Sequence, residues 1–243
     1  MRQHSRSSIL AADVKDTVQL QASLSSIHSP LRSVLQSPLY PQQRERIASE
    51  PRWQPMGRFT HAVLSPAERA WLGDDGSLTA RLMASRRGEF SVQRLHQGWA
   101  VPLPSERTLL ELPPRQLALV REVALLLDSE AVVFARSVFP VSSLTGSLGH
   151  LRKLRNKSLG AILFKHPGMR RCPFELALMT GDSDYLPVEL KQSEAAWGRR
   201  SRFEISSKKL MVSEVFLRAF TPWPETLPAH RTQRGKVSAA FRS

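Results

Sequence analysis

Apolar positions along the chain alternate between a two-residue and a roughly four-residue period, and the switches mark out its elements. From Leu119 to Pro140 two β-rich runs flank Asp128-Ser129-Glu130, which predicts an antiparallel hairpin with a three-residue connection. That loop length sets Leu127 opposite Ala131, Arg121 opposite Ser137 and Glu122 opposite Arg136; a slip of one residue breaks both outer pairings. A second hairpin is predicted over Ser201–Ser206 and Lys209–Leu217, turning through Ser207-Lys208, with further strands at 89–99 and about 173–180. Helical signals lie between the strands. Ser65-Pro66-Ala67-Glu68 supplies a cap, a first-turn proline and a first-turn acid, and Leu78 and Leu82 sit one turn apart. The stretch Ser142–Phe164 has helical period (Leu144, Leu148, Leu151, Leu154) with an interruption near Lys157-Ser158-Leu159-Gly160. Hairpins with helices inserted between them predict an α+β fold, an antiparallel sheet covered by helices.

The ends of the chain look different from its middle. Residues 1–52 are rich in Ser, Gln and Pro and read as a mobile extension, with a ragged Leu10, Val14, Val18 stripe that allows a short helix at about 10–24. Residues 53–222 carry the apolar periodicity of one folded domain, and 223–243 form a basic tail broken by proline. The net charge of +14 is distributed: +2 over 1–50, +4 over 231–243 and the remaining +8 between them. An excess of that size draws anionic ligands, polymeric or small, and charge alone does not choose between them. Cys172 is the sole cysteine, which excludes an internal disulfide and a Cys-pair zinc site and suits a reducing, cytoplasmic setting. No stretch approaches the roughly 18 apolar residues of a membrane span.

No Gly-rich phosphate loop, His-Glu-x-x-His pair or Gly-x-Ser-x-Gly elbow occurs, and the seven histidines are scattered. Arginine, glutamate and backbone amides remain, a set suited to binding an anion and stabilising charge. Arg121 stands in the alternation Arg121, Val123, Leu125, Leu127, an arginine on an apolar strand face. It is either one half of a buried ion pair or a fork-shaped clamp for a ligand carboxylate. Glu214, between Val212 and Phe216, poses the same alternatives from another strand, while Glu122 and Arg136 read as a cross-strand pair. The Lys157–Ala161 stretch is a turn or a helix entry with free amides, and Trp197-Gly198-Arg199-Arg200-Ser201-Arg202 is a basic edge or an anion contact.

Four segments resemble the chorismate pyruvate-lyase family: Arg121-Glu122-Val123; Ala135-Arg136-Ser137-Val138-Phe139-Pro140-Val141-Ser142; Ser158-Leu159-Gly160 with Leu163-Phe164; and Trp197-Gly198-Arg199-Arg200-Ser201-Arg202 running on to Ser213-Glu214-Val215-Phe216-Leu217. The resemblance covers about residues 55–220 and implies a single antiparallel sheet with helical flaps closing over an internal ligand pocket. It implies an enzyme that eliminates pyruvate from chorismate to give 4-hydroxybenzoate for ubiquinone biosynthesis, as a cytoplasmic monomer without metal or cofactor. Carried over by position, Arg121 binds the ligand carboxylate, Leu159 offers a backbone amide and Glu214 lies at the hydroxyl end. Leu78 falls where the family usually has Met, another apolar pocket contact. A second carboxylate is assigned to Arg136 or to an arginine of 199–202.

Two rival readings stay open at this stage. A related fold serves as the ligand-sensing effector domain of bacterial regulators, although residues 1–50 are too short and Pro-broken for the winged helix such proteins carry. The basic run His150–Lys157 and the tails suit non-specific contact with nucleic acid, but aromatic residues at 7% and the lack of a stacking motif argue against a dedicated binder.

Overall fold

Strand pairing sets the frame of the molecule. The computed structural model describes residues 50–224, so the helix expected at 10–24 and the tail from 225 onward lie outside the described residues. In chain order the regular elements are β1 (Gln54–Pro55), α1 (Pro66–Leu72), α2 (Leu78–Ser85), β2 (Phe90–Ala100), α3 (Pro104–Leu110), β3 (Ala118–Leu127) and β4 (Glu130–Pro140). They continue with α4 (Gly160–Leu163), β5 (Met169–Arg171), β6 (Glu175–Met179), β7 (Ala196–Ile205) and β8 (Lys208–Phe216). All strands join one antiparallel sheet in the order β1-β6-β7-β8-β4-β3-β2, with β5 paired to β7.

The central hairpin reaches the expected register by an unexpected route. Leu127 pairs with Glu130, so the connection is the two residues Asp128 and Ser129, both at positive φ (48° and 68°), as a tight primed turn demands. That replaces the expected Leu127–Ala131 pairing. An extra residue in β4, Val132, then bulges between Ala131 and Val133 and shifts the ladder back by one. Arg121 therefore faces Ser137 and Glu122 faces Arg136, as the sequence predicts.

The second hairpin turns one residue earlier than expected, through Ser206 and Ser207 at φ 47° and 65°, with Ile205 opposite Lys208. Its first strand also begins at Ala196, because the arginines that read as a solvated edge are ladder residues with buried partners. The Ser142–Phe164 stretch is not a long helix. It divides into a 3-10 segment, Gly146–Lys153, and the short α4, separated by Arg155 at φ 48°. Its leucines are nonetheless buried, so the apolar period was a true packing signal in a tighter helix. α1 starts as predicted: the Ser65 hydroxyl accepts from the Glu68 N–H and the Glu68 carboxylate accepts from the Ser65 N–H.

Both faces of the sheet are covered, and β3 is buried along its whole length. Val123, Leu125, Ala135, Phe174 and Phe216 on one face pack with Trp71, Leu78 and Leu82 of α1 and α2. Farther along that face, Leu119, Phe139, Phe203 and Leu210 pack under Leu148, Leu151, Leu159 and Leu163. Each fully buried side chain of this kind contributes roughly 1.5–3 kcal/mol. The site lies where these two apolar clusters meet.

Candidate active site

Alternation along the strands decides which side chains face the helices. β3 presents Arg121, Val123 and Leu125, β4 presents Ala135 and Ser137, and β8 presents Val212 and Glu214 to a partly enclosed cavity. α2 contributes Leu78 and Thr79; the segment entering α4 contributes Ser158, Leu159 and Gly160; and β5 contributes Arg171. The space open to the centres of water molecules is about 40 Å³, several times the ~10–15 Å³ that one water needs. A cavity this narrow excludes a polymer. A wider surface depression bordered by Pro51, Leu178, Asp182 and Lys191 lacks a buried charged side chain.

Arg121 is 2% exposed and has no carboxylate partner among the described residues. One guanidinium nitrogen donates to the carbonyls of Arg155 (3.0 Å) and Lys157 (2.9 Å), and Nε is buried without a partner. Burial, with Arg94 nearby, draws its pKa down to about 10, still leaving it charged at neutral pH. The buried-ion-pair alternative for Arg121 therefore fails. The loop that supplies the two carbonyls leads directly into Leu159, 6% exposed, whose backbone N–H donates to no acceptor among the described residues.

Glu214 lies across the cavity. It is two strands away from Arg121, since β4 runs between β3 and β8, and the register offsets it by two residues along the strand. At ~4.8 Å between strands and ~3.4 Å per residue the two Cα atoms stand about 12 Å apart. Between them the floor is Ala135 and Ser137, small side chains that leave space above β4. Glu214 accepts from Arg199 Nε at 2.7 Å and lies 3.7 Å from Arg171, not against Arg121. Arg199, fully buried, also donates to the carbonyls of Trp71 (2.6 Å) and Asp74 (2.9 Å) and stacks near Phe174 and Phe216.

Arg136 corrects the expected second carboxylate contact. It projects from the opposite face of β4, where it bonds Glu106 through two nitrogens (2.7 and 3.0 Å) and Glu122 at 2.7 Å, all three residues 4% exposed or less. Its two acids hold its pKa above the usual range despite burial, and no lobe of its guanidinium reaches the cavity. Arg200 shares that far face with Glu175 and Ser105, while Arg202 pairs with Glu111 and Glu204. Sequence reading missed Arg171. The alternation signal that exposed Arg121 and Glu214 is unavailable in a three-residue strand, and only its pairing with Phe203 of β7 brings it into the site. Glu106 was missed too, although Pro104-Ser105-Glu106 repeats the helix-start pattern of α1.

Two covering elements meet above the cavity. The Ser158 hydroxyl donates to Thr79 Oγ1 at 2.9 Å, and a Cβ on Gly160 would stand 2.9 Å from the Ser77 hydroxyl. No group of three or more His, Cys, Asp or Glu among the described residues could hold a metal ion, and no described helix is long and apolar enough to cross a membrane.

Residues 47–223 match the family described as chorismate lyase, well over half of the chain. The chain belongs to the chorismate lyase family. A probable chorismate pyruvate-lyase of Methylococcus capsulatus is 41% identical over 160 residues, 65% of this chain and 98% of that protein. Similar proteins of the same description from Alcanivorax borkumensis and Pseudomonas aeruginosa are 40% identical over 167 residues and 41% over 154, covering 69% and 63% of this chain and 76% and 85% of theirs. Among solved structures, the effector domain of PhnF from Mycobacterium smegmatis is 13% identical with a TM-score of 0.42 over 58% of this chain and 88% of that one. A GntR-family regulator from Bacillus cereus is 8% identical with a TM-score of 0.43, over 58% and 100% respectively. As a chorismate lyase family member the chain brings Arg121, Leu159, Glu214 and Leu78, the residues named by sequence resemblance, onto one cavity.

Proposed function

We infer that the protein is a chorismate pyruvate-lyase, and the carrying observation is Arg121: a buried guanidinium lining a small, partly enclosed cavity with no protein carboxylate to meet it. Leaving such a charge uncompensated costs several kcal/mol, so its counter-ion is the ligand. In this reading Arg121 and the Leu159 amide hold the ring carboxylate, Glu214 accepts a hydrogen bond from the C4 hydroxyl, and Leu78 packs on the ring. Arg199 and Arg171 keep Glu214 from swinging away.

Elimination breaks the C3–O ether bond and removes the C4 hydrogen. The enol oxygen becomes the keto group of pyruvate, its methylene carbon gains a proton, and the ring is left aromatic as 4-hydroxybenzoate. The gain of aromaticity supplies the driving force, so the protein's work is to position and desolvate the substrate. The meeting of α2 with the α4 segment over the cavity makes product release the slow step. A lone cysteine supports a cytoplasmic setting in which 4-hydroxybenzoate feeds ubiquinone synthesis.

The direct test is to incubate the purified protein with chorismate in a chelator-containing buffer and measure pyruvate and 4-hydroxybenzoate. Equimolar formation of both is expected. Chorismate bound but unchanged would instead support a sensing domain.

A further inference from the structure

The charges lining the cavity do not balance, and the imbalance has a definite size. Arg121, Arg171 and Glu214 line it, and Arg199 lies directly behind Glu214. The single carboxylate of Glu214 serves Arg199 at 2.7 Å and Arg171 only at 3.7 Å, so one positive charge is left over at that end and Arg121 supplies a second at the other. The neighbouring acids do not cancel these: Asp74 is taken by Arg81 at 2.9 Å, and Asp75 is exposed. Two buried positive charges facing a small chamber call for two negative ones.

Arg171 is built to be a fixed receptor. Its Nε donates to the Ser201 hydroxyl at 2.8 Å, and one terminal nitrogen donates to the carbonyls of Asp75 (3.3 Å) and Gly76 (3.2 Å). Its plane is packed among Phe174 (4.1 Å), Phe203 (4.9 Å) and Phe164 (5.9 Å), and its side chain is 9% exposed. The other terminal nitrogen has only the long contact to Glu214. Two of the guanidinium's three nitrogens are committed to protein, and the third is available to the cavity.

We propose that the cavity is a receptor for dianions and that Arg171 receives the second carboxylate, the one on the arm that leaves as pyruvate. This rests on the reading of the protein as a chorismate pyruvate-lyase and adds to it a specificity residue. The arrangement lets the enzyme distinguish substrate from product by charge: the dicarboxylate engages both arginines, and the monocarboxylate that remains after elimination engages Arg121 alone.

The experiment compares two non-reacting probes, 3-(carboxymethoxy)benzoate and 3-methoxybenzoate, which differ by one carboxylate. The wild-type protein is expected to bind the dianion at least about tenfold more tightly, the order of one charge-assisted contact. Arg171→Gln is expected to reduce that preference below about threefold and to lower kcat/KM for chorismate about 100-fold, with 4-hydroxybenzoate affinity changed less than about threefold. Arg171→Lys, which keeps the charge, should stay within about tenfold of wild type. Ser201→Ala provides a gentler perturbation if Arg171→Gln does not fold, with an expected three- to tenfold rise in KM for chorismate and no change for 4-hydroxybenzoate. Equal affinity of the wild type for the two probes, or parallel loss of chorismate and 4-hydroxybenzoate binding in the variants, overturns the proposal. A wild-type protein that prefers the dianion yet forms no pyruvate from chorismate overturns the lyase reading and leaves the dianion receptor standing.

Discussion

Replacing Arg121 by Met should make the protein more stable and useless at the same time. The guanidinium is 2% exposed, and chiefly through burial its pKa falls from the usual arginine range to about 10. At 1.36 kcal/mol per tenfold change in proton affinity, that fall amounts to roughly 3 kcal/mol of strain on the charged form. Met fills a similar volume without the charge and so removes this cost. Against the gain stand the carbonyls of Arg155 and Lys157, which lose their donor. Both belong to exposed residues where water can take over, so the offset is about 1 kcal/mol each. The balance is a gain of about 1 kcal/mol, or roughly 2–4 °C in Tm for a domain of this size. Thermal unfolding with and without 4-hydroxybenzoate reads both halves. Wild-type Tm should rise with ligand, by about 2.7 kcal/mol of stability at 100 times Kd. The Arg121→Met protein should start higher and not respond. If it instead lost more than about 2 kcal/mol, Arg121 would have to be a structural residue and the ligand would not be its counter-ion.

Other expectations follow from the same geometry. Arg136→Ala removes the cation that the buried Glu106 and Glu122 share and should cost about 3–5 kcal/mol by denaturant unfolding, while the KM of the folded fraction for chorismate stays unchanged; a large rise in KM would return Arg136 to the site. Ser158→Ala removes the hydroxyl joining the two covering elements; at ~0.5–1.5 kcal/mol it should speed 4-hydroxybenzoate release by about two- to tenfold in stopped-flow displacement, and an unchanged rate would place the gate elsewhere. Benzoate does not titrate in the alkaline range and, as a monocarboxylate, reports Arg121 directly, whose pKa burial draws down to about 10. A carboxylate binds the protonated guanidinium, so benzoate Kd should be flat from pH 6 to 9 and rise above pH 10 by up to about tenfold per pH unit. A flat titration to pH 10.5 would contradict it.

Legibility in the sequence followed local pattern. Period-two alternation marked Arg121 and Glu214 as polar residues on apolar faces, and both line the cavity. The helix start at Pro66 was marked by its cap, and the helix from Leu78 by the one-turn spacing of Leu78 and Leu82. Turn lengths were legible only approximately, because Asp128-Ser129 and Ser206-Ser207 adopt left-handed backbone without the glycine that usually advertises it. Arg171 stayed hidden because its position depends on a pairing with a strand more than thirty residues away. Arg136 was misassigned against the parity signal: with Arg121 opposite Ser137 it falls on the other face, where Glu106 arrives from a separate helix to join Glu122 around its guanidinium.

The two irregularities of the central hairpin buffer the chamber floor against changes in chain length. Deleting the bulged Val132 leaves Leu126 opposite Ala131 and Leu125 opposite Val133, so Arg121 still meets Ser137. One residue added at the Asp128-Ser129 tip lengthens the turn outside the ladder and likewise keeps Ala135 and Ser137 in the floor. Drawing Glu130 into the turn while the bulge stays would instead set Val138 opposite Arg121 and turn Arg136 into the chamber. Homologous enzymes that differ by one residue at the tip or at the bulge should therefore keep the same floor.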